Sequence, residues 1–260
     1  MNDIDRESDV GIGVVYEQFR LNLLLGRIVK KYNAKTVLES PIYGMAGLTG
    51  INSMVLPEPG VKVTLADCPE HINIAEKAWQ RAKRNIDMVQ LDGDILPFKN
   101  NQFDLAYNFA ALWHLDNPEK RIVEMCRVSN LVLICMPNPW NPCFQIRKLF
   151  GFLPKQKIWA NERKISECLV ANGFKIVETG LLDIPPWPDL VVSLKSIIPD
   201  SKKSKSWRWS MLDYYSGNSD MKNKIKKLYF IEDSCLPGFI KKLWAHHFYV
   251  VATKKVSQKL

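Results

Sequence analysis

The alternation of short β-branched segments with amphipathic helical stretches is the feature that most constrains the fold of this chain. Strand–helix–strand units of this kind place their strands parallel, with helices on both faces of the sheet. The pattern therefore predicts an α/β fold with a doubly wound, mostly parallel sheet. The predicted strands are 36–39, 61–67, 86–91, 103–108, 130–136, 174–181 and 246–253, and the predicted helices are 14–32, 71–84, 118–127 and 162–171.

The predicted elements divide the chain into three parts. Residues 1–33 form a leading helical segment that packs on the next unit, and 34–182 together with 245–255 form the sheet-containing core. Residues 183–244 exceed what the sheet needs, so we interpret them as an inserted cap. No apolar run approaches the roughly 18 residues that span a bilayer, and the acidic start has no signal-peptide pattern. We therefore expect a cytoplasmic protein.

The excess of positive charge belongs to the C-terminal part alone. Residues 1–194 hold 22 Lys and Arg against 22 Asp and Glu, whereas residues 195–260 hold 14 against 5, which accounts for the net charge of +9. Eleven aromatic residues lie between Trp187 and Tyr249, interleaved with these lysines. Such an asymmetry predicts a specialised surface within the cap.

Neither the cysteines nor the histidines predict a metal site. The six cysteines form no C-x-x-C pair and occur mostly within apolar runs, where a free cysteine behaves as a small hydrophobic residue. The pair His246 and His247 begins a predicted strand, and neighbouring residues of a strand point to opposite faces. We therefore expect both histidines to be structural and expect no metal.

The loop after the first predicted strand is the expected ligand site, because open parallel sheets bind ligands beyond the carboxyl ends of their strands. It follows Glu39 and contains Gly44, Gly47 and Gly50, whose lack of a Cβ lets the backbone approach a ligand closely. This glycine pattern alone is weak evidence. Together with the end of the second strand, the loop gives the candidate binding residues Ser40, Pro41, Gly44, Gly47 and Cys68.

Two acidic positions add to this expectation. Asp67 ends the second strand, where a carboxylate can accept two hydrogen bonds from a ribose diol. Asp94 follows the third strand, where it can accept from an exocyclic adenine amine while Ile95 packs on the ring. A solvated acidic residue that merely ends a strand is the alternative for Asp67.

The segment Gly93–Asn108 resembles a signature of class I S-adenosylmethionine-dependent methyltransferases, G-D-(x)-x-L-P-F-x-x-x-x-F-D-x-x-x-(S/N). Leu112–Leu115 and Glu124–Val128 are similar to further segments of the ubiquinone/menaquinone-biosynthesis type, so the resemblance covers about Lys35–Met136. It implies a Rossmann-like fold and S-adenosylmethionine as cofactor. The sequence departs from the family in the first loop, where Pro41 and Tyr43 replace the first two glycines.

The resemblance also implies roles for single residues. Glu39 would bind the methionine end of the cofactor or order the loop, and Asp67 would hold the ribose hydroxyls. Asp94 and Ile95 would contact the adenine, and Asn108 would lie beside the methionyl group. His114, after the fourth strand, is the candidate general base, because its ordinary pKa suits proton transfer at neutral pH; packing against the next helix is an equally good interpretation.

The acceptor is much less constrained. We expect a small-molecule acceptor, hydrophobic or lipid-linked, because the aromatic cap and the Pro185–Pro188 wall suit an apolar ligand. Residues 195–244 could also contact an anionic membrane or a nucleic acid. A separate hypothesis is a methyltransferase that acts on RNA or protein through this basic cap. A third hypothesis is a non-catalytic binding protein that keeps the fold with a degenerate first loop.

Overall fold

The structure is a computed structural model, and we describe it for residues 12–43, 47–57, 60–150, 161–187, 210–217 and 221–255. Gly44 and the predicted cap residues 195–209 lie outside the described residues. Within the described part of the chain, no helix is long and apolar enough to cross a membrane.

A seven-stranded mixed sheet forms the centre of the molecule, in the order β3-β2-β1-β4-β5-β7-β6. Strands β1 to β5 pair in parallel, and β7 runs antiparallel between β5 and β6. The strands are Thr36–Glu39 (β1), Lys62–Asp67 (β2), Asp87–Gln90 (β3), Phe103–Phe109 (β4), Ser129–Pro137 (β5), Phe174–Leu182 (β6) and His247–Lys254 (β7). All seven predicted strands are confirmed.

Eight helices accompany the sheet in the described residues. They are Ile12–Tyr32 (α1), Pro69–Arg81 (α2), Pro118–Val128 (α3), Pro142–Leu149 (α4), Glu162–Ala171 (α5), Met211–Tyr215 (α6), Met221–Lys226 (α7) and Gly238–Trp244 (α8), with short 3₁₀ turns at Asn52–Val55 and Leu112–His114. The helix ends follow ordinary capping rules. Pro118 occupies the first turn of α3 after Asn117, and Gly173 has a φ of 82° beyond the end of α5.

Alternate residues of the central strands feed two hydrophobic cores, because successive side chains of a strand point to opposite faces. On one face Val37 and Tyr107 pack with α1 and α2, and on the other Leu38 and Ala106 pack with α3 and α5. Helices on both faces of a mostly parallel sheet are the predicted Rossmann-like, doubly wound architecture.

The described cap residues share the first of these cores and do not form a separate one. Leu212, Tyr215, Ile225 and Tyr229 are buried in the same cluster as α1. The hydroxyl of Tyr16 on α1 donates 2.9 Å to Glu232 and lies 3.1 Å from the carbonyl oxygen of Ile184. Helix α1 therefore joins the sheet to the region that follows β6.

Candidate active site

The carboxyl ends of β1, β2, β3 and β4 meet at one edge of the sheet, where four loops surround the predicted cofactor pocket. Strand β2 ends at Asp67, whose Oδ2 accepts 2.7 Å from the amide of Ile42 and whose Oδ1 accepts 2.7 Å from the amide of Cys68. His71, one turn into α2, lies 3.2 Å from Oδ2. Each carboxylate oxygen has two lone pairs, and Oδ1, with a single amide partner, still has capacity for a ribose hydroxyl.

Asp67 is held in its ionised form. Burial works to raise its pKa, but the adjacent His71 and the amides of Cys68 and Ile42 keep that pKa below its ordinary value. The same contact raises the pKa of His71, because the carboxylate stabilises the imidazolium. The pocket therefore presents a fixed hydrogen-bond acceptor at neutral pH.

Glu39 lies beneath the loop and is fully buried. Its Oε1 accepts 3.0 Å from Asn52, and its Oε2 accepts 2.6 Å from Ser53 and 2.7 Å from the hydroxyl of Tyr107. All three partners are protein groups, so of the two predicted roles the geometry supports the ordering of the loop. Burial raises the pKa of Glu39 from its ordinary 4.5 to about 7, against the effect of these hydrogen bonds.

The loop after β3 supplies the predicted adenine end. Gly93 has a φ of 92°, a backbone angle that residues other than glycine rarely adopt, and the space where a Cβ would lie is open. Ile95 beside it is 74% exposed, and the carboxylate of Asp94 lies 3.6 Å from the ammonium of Lys120. An exposed aliphatic surface next to an acidic side chain suits a purine ring with an exocyclic amine.

Tyr43, His71 and His114 form an aromatic cluster over the pocket. The ring of Tyr43 is stacked on His71 at 4.9 Å and meets His114 edge-on at 4.7 Å. Burial, with a smaller effect of His71, lowers the pKa of His114, so its imidazole is neutral at pH 7. Its Nε2 is buried without a hydrogen-bond partner among the described residues. His114 thus carries the free lone pair or proton that a reactive imidazole requires.

Asn108 binds the loop after β1 from the side of β4. Asn108 is fully buried; its Nδ2 donates 3.1 Å to the carbonyl oxygen of Pro41, and its Oδ1 accepts from the amides of Ala111 and Leu112. The structure thus places Asn108 as a link between two loops, so that it acts on the predicted methionyl position through Pro41.

Arg121 on α3 is a site residue that the sequence did not single out. It is only 4% exposed, and its guanidinium donates 2.8 Å to Ser40 Oγ and 3.3 Å to the carbonyl oxygen of Gly93. It therefore joins the loops after β1 and β3. The sequence around it, Pro118-Glu-Lys-Arg121, is that of an ordinary exposed first turn, so nothing signalled this role.

His71 is a second site residue that the sequence did not single out. It follows Asp67 by four residues across the start of α2, and an i, i+4 spacing of a carboxylate and an imidazole is a usable signal when a helix begins between them. The glycines of the loop behave as expected where they are described. Gly47 and Gly50 have φ values of 88° and 77°, and a Cβ on Gly50 would lie 2.5 Å from the Cβ of Ala75.

A second cavity, of about 580 Å³, opens at the same edge of the sheet beside β5, β6 and β7. The ring of Trp113 lies 5.1 Å from that of His114 and 6.4 Å from that of Phe144 on α4, the residue before Gln145 in the cavity wall. The walls of the cavity are formed by Asn138, Trp140, Gln145, Arg163, Leu181, Lys242, Phe248 and their neighbours.

Comparisons with known proteins agree with this geometry. Residues 45–130 match the methyltransferase domain family. The fold is similar to that of magnesium protoporphyrin IX methyltransferase from Synechocystis with bound S-adenosylhomocysteine, with a TM-score of 0.56, 12% identity, and coverage of 98% of this chain and 88% of that one. No curated protein sequence matches the chain.

Two further solved structures have the same fold. A methyltransferase-like protein from Bacillus halodurans has a TM-score of 0.52 at 15% identity, over 90% of this chain and 99% of that one. The [4+2]-cyclase SpnF has a TM-score of 0.52 at 14% identity, over 91% of this chain and 82% of that one. Likeness at this level defines a fold, on which different chemistries occur.

The sheet order and the flanking helices define the chain as a Rossmann-like α/β protein of the class I methyltransferase fold. Together with the match of residues 45–130 to the methyltransferase domain family, this places a class I S-adenosylmethionine-dependent methyltransferase domain in the chain. The described residues fit that cofactor: Asp67 is an ionised acceptor at the ribose position, and Gly93 and Ile95 leave an open apolar surface for the adenine. The ubiquinone/menaquinone subtype stays a prediction.

The burial of Glu39 predicts a specific dependence of stability on pH. A carboxyl group with a raised pKa in the folded state binds more protons than in the unfolded chain, so its stabilising contribution is present below about pH 4.5 and is lost as the pH rises through about 7. Between those values the wild-type chain should lose on the order of 3 kcal/mol relative to Glu39→Gln. Urea unfolding at a series of pH values measures this difference.

The exposed Glu76 on α2 provides the control for this experiment. Glu76→Gln should follow the pH dependence of the wild type. A constant difference between the wild type and Glu39→Gln across the pH range would contradict the prediction.

The position of Asp67 predicts the cofactor affinity of its variants. Asp67→Ala removes the ionised acceptor and should weaken S-adenosylmethionine and S-adenosylhomocysteine binding by at least about 10-fold, the effect of losing a charge-assisted hydrogen bond. Asp87→Ala is the matched control, because Asp87 is an exposed carboxylate at the opposite end of the adjacent strand β3. Calorimetry that gives equal affinities for both variants would rule out the assigned pocket.

Proposed function

We propose that this methyltransferase transfers a methyl group to a small apolar, lipid-like acceptor bound between the cofactor pocket and the 580 Å³ cavity. The observation that carries the proposal is the position of this cavity at the same edge of the sheet, where Trp113 packs between His114 and Phe144, the residue before Gln145 in the cavity wall. A cavity of this volume is in the range of small-molecule sites, and Trp140, Leu181 and Phe248 offer it an apolar wall.

The Pro185–Trp187 segment supports an enclosed acceptor site. Trp187 meets Tyr16 of α1 edge-on at 5.6 Å, and the carbonyl oxygen of Pro185 accepts 2.7 Å from the indole of Trp244 at the end of α8. These contacts hold the segment between two helices at the ligand edge of the sheet. In this proposal the segment closes one side of the acceptor site against water.

S-adenosylmethionine supplies a methyl group that its sulfonium already activates, so the main task of the protein is to align an acceptor atom with it. We assign the general base to His114. Its lowered pKa keeps the imidazole neutral at pH 7, and its buried Nε2 has no competing partner among the described residues. Tyr43 covers this imidazole and the adjacent His71, so the aromatic cluster shields the proton transfer from solvent.

A peripheral contact with an anionic membrane would deliver an acceptor of this kind. Helix α8 buries none of its residues, and Phe239 on it is 68% exposed. On α4 Leu149 is 82% exposed, and Asn141 at the start of α4 donates to the carbonyl oxygen of Trp244 at the end of α8. Residues 221–244 contain six Lys and two acidic residues. Exposed apolar groups with lysines beside them suit a lipid headgroup region.

Transfer of a labelled methyl group tests the acceptor class. The full chain is incubated with methyl-labelled S-adenosylmethionine and an extract of the source cells, which is then separated into organic-soluble, water-soluble, RNA and protein fractions. The label should enter the organic-soluble fraction with wild type and Asp87→Ala, and should not with Asp67→Ala. His114→Gln should lower the initial rate by roughly 100-fold or more with cofactor binding retained.

Each other outcome of this assay decides against the proposal. Label confined to RNA or protein would show that the substrate is a macromolecule, as the basic residues of the cap would suit. Cofactor binding without label in any fraction would favour a non-catalytic protein. An unchanged rate in His114→Gln would remove the general base from the mechanism.

Vesicle flotation tests the membrane contact. The chain should float with vesicles of phosphatidylcholine that contain phosphatidylserine and much less with phosphatidylcholine alone, and added salt should weaken the binding. The double substitution Phe239→Ser with Leu243→Ser should abolish flotation, because both side chains are exposed on α8. Val123→Ser, an exposed apolar position on α3, is the control. Equal flotation of the two variants would contradict the assigned surface.

A further inference from the structure

Three side chains that are far apart in the sequence converge at the start of β7, outside the cofactor pocket. They are Glu17 of α1, Asp183 directly after β6, and His247 of β7, and each offers one ligand atom within 4.8 Å of the other two. His247 Nδ1 lies 3.6 Å from Asp183 Oδ2 and 3.9 Å from Glu17 Oε2. The proposed methyl transfer uses none of them.

Two atoms of this cluster are buried and lack hydrogen bonds. Asp183 is 1% exposed, and its Oδ1 has no partner among the described residues; the same holds for Nδ1 of His247, which is 5% exposed. Buried polar side-chain atoms in proteins normally have a partner, because an unsatisfied one carries a desolvation cost of about 1–3 kcal/mol. Two such atoms in one cluster indicate a missing ligand between them.

The spacing of the ligand atoms suits a metal ion. In a tetrahedral site with bonds of about 2.0–2.1 Å to nitrogen and oxygen, ligand atoms are about 3.4 Å apart. The distances of 3.6 Å and 3.9 Å exceed this value by a few tenths of an ångström. A small rotation of the Glu17 and Asp183 side chains would close the difference.

The charges of the cluster also suit a divalent cation. The site contains two carboxylate side chains, those of Asp183 and Glu17, whose side-chain exposures are only 2% and 13%. A doubly charged ion would balance the charge of two carboxylates.

His246 completes the arrangement from outside. Its Nδ1 lies 2.8 Å from Asp183 Oδ2, and its backbone amide donates 2.9 Å to the carbonyl oxygen of Asp183. The sequence-based expectation that His246 and His247 point to opposite faces of one strand is wrong, because β7 begins only at His247. Both imidazoles therefore reach the same carboxylate, and His246 fixes its orientation in the manner of an outer-shell hydrogen bond.

We propose that Glu17, Asp183 and His247 bind one divalent first-row transition-metal ion, with a water molecule as the remaining ligand. An imidazole with two carboxylates favours zinc, iron or manganese over magnesium, which prefers oxygen ligands alone. The ion connects α1 to the β6–β7 edge of the sheet. It thereby stabilises the side of the molecule where the cap residues begin.

A second group of potential ligands, Asp67, Cys68 and His71, serves as the internal control. Both carboxylate oxygens of Asp67 already accept backbone amides, and the group belongs to the cofactor pocket. Metal binding there would give a different set of sensitive residues and a thiolate ligand.

Zinc titration of the chelator-treated full chain tests the proposal. Calorimetry should show one zinc ion per chain and no comparable magnesium binding, and zinc should raise the melting temperature. Glu17→Gln and His247→Gln should each weaken zinc binding by at least about 10-fold. Cys68→Ser and His71→Gln should bind zinc as the wild type does. Circular dichroism in chelator verifies that each variant is folded.

Cobalt substitution of the wild type keeps the test decisive if a variant does not fold. Cobalt at the proposed site should give visible absorption of a nitrogen- and oxygen-ligated ion, without a thiolate charge-transfer band. A thiolate band, the absence of zinc binding by the folded wild type, or unchanged binding in both Glu17→Gln and His247→Gln would each overturn the proposal. In that event the cluster is a buried ion pair of protonated histidines.

Discussion

The conformation of the loop after β1 is the constraint on which the rest of the site depends. In the signature that this sequence resembles, glycines stand at the positions of Pro41 and Tyr43. Side chains from three other elements bind the described residues of this loop, and a fourth binds the turn beyond it. Asp67 binds the amide of Ile42, Asn108 binds the carbonyl of Pro41, Arg121 binds Ser40, and the buried Glu39 fastens the 3₁₀ turn beyond the loop through Asn52 and Ser53. Residues 40–42 are thus fixed by hydrogen bonds from neighbouring elements.

This arrangement also determines the charges in the pocket. Because Asp67 both binds the loop and contacts His71, it stays ionised and raises the pKa of that imidazole. The imidazolium of His71 in turn disfavours a second positive charge on His114, which burial already keeps neutral. Tyr43 contacts both rings. Tyr43 therefore lies between a histidine whose pKa is raised and one whose pKa is lowered, and the irregular loop and the candidate base form one unit.

The sequence predicted the sheet and the cofactor edge because both depend on local pattern. The seven strands follow from apolar periodicity, and Asp67, Gly93 and Ile95 have recognisable places at strand ends. Arg121 and the buried state of Asn108 could not be predicted in this way, because each depends on a partner in a distant loop, whereas His71 has a local signal in its spacing from Asp67. Arg121 binds Ser40 across 81 positions and Asn108 binds Pro41 across 67. The signature identifies which residues belong to the site, whereas tertiary contacts decide whether they touch a ligand or a neighbouring loop.

The same limit explains why the region after β6 was the least predictable part of the chain. Its aromatic residues could have formed an independent small core with a solvated lysine face. The described ones instead pack against α1: Tyr215 hydrogen-bonds Asn22, and Tyr229 packs against Tyr16 and Arg20. Helix α1 precedes the sheet in sequence by only a few residues, yet it carries Glu17 to Asp183 and Tyr16 to Glu232. A helix that looks like a leading appendage is therefore the element through which the region after β6 is attached to the sheet.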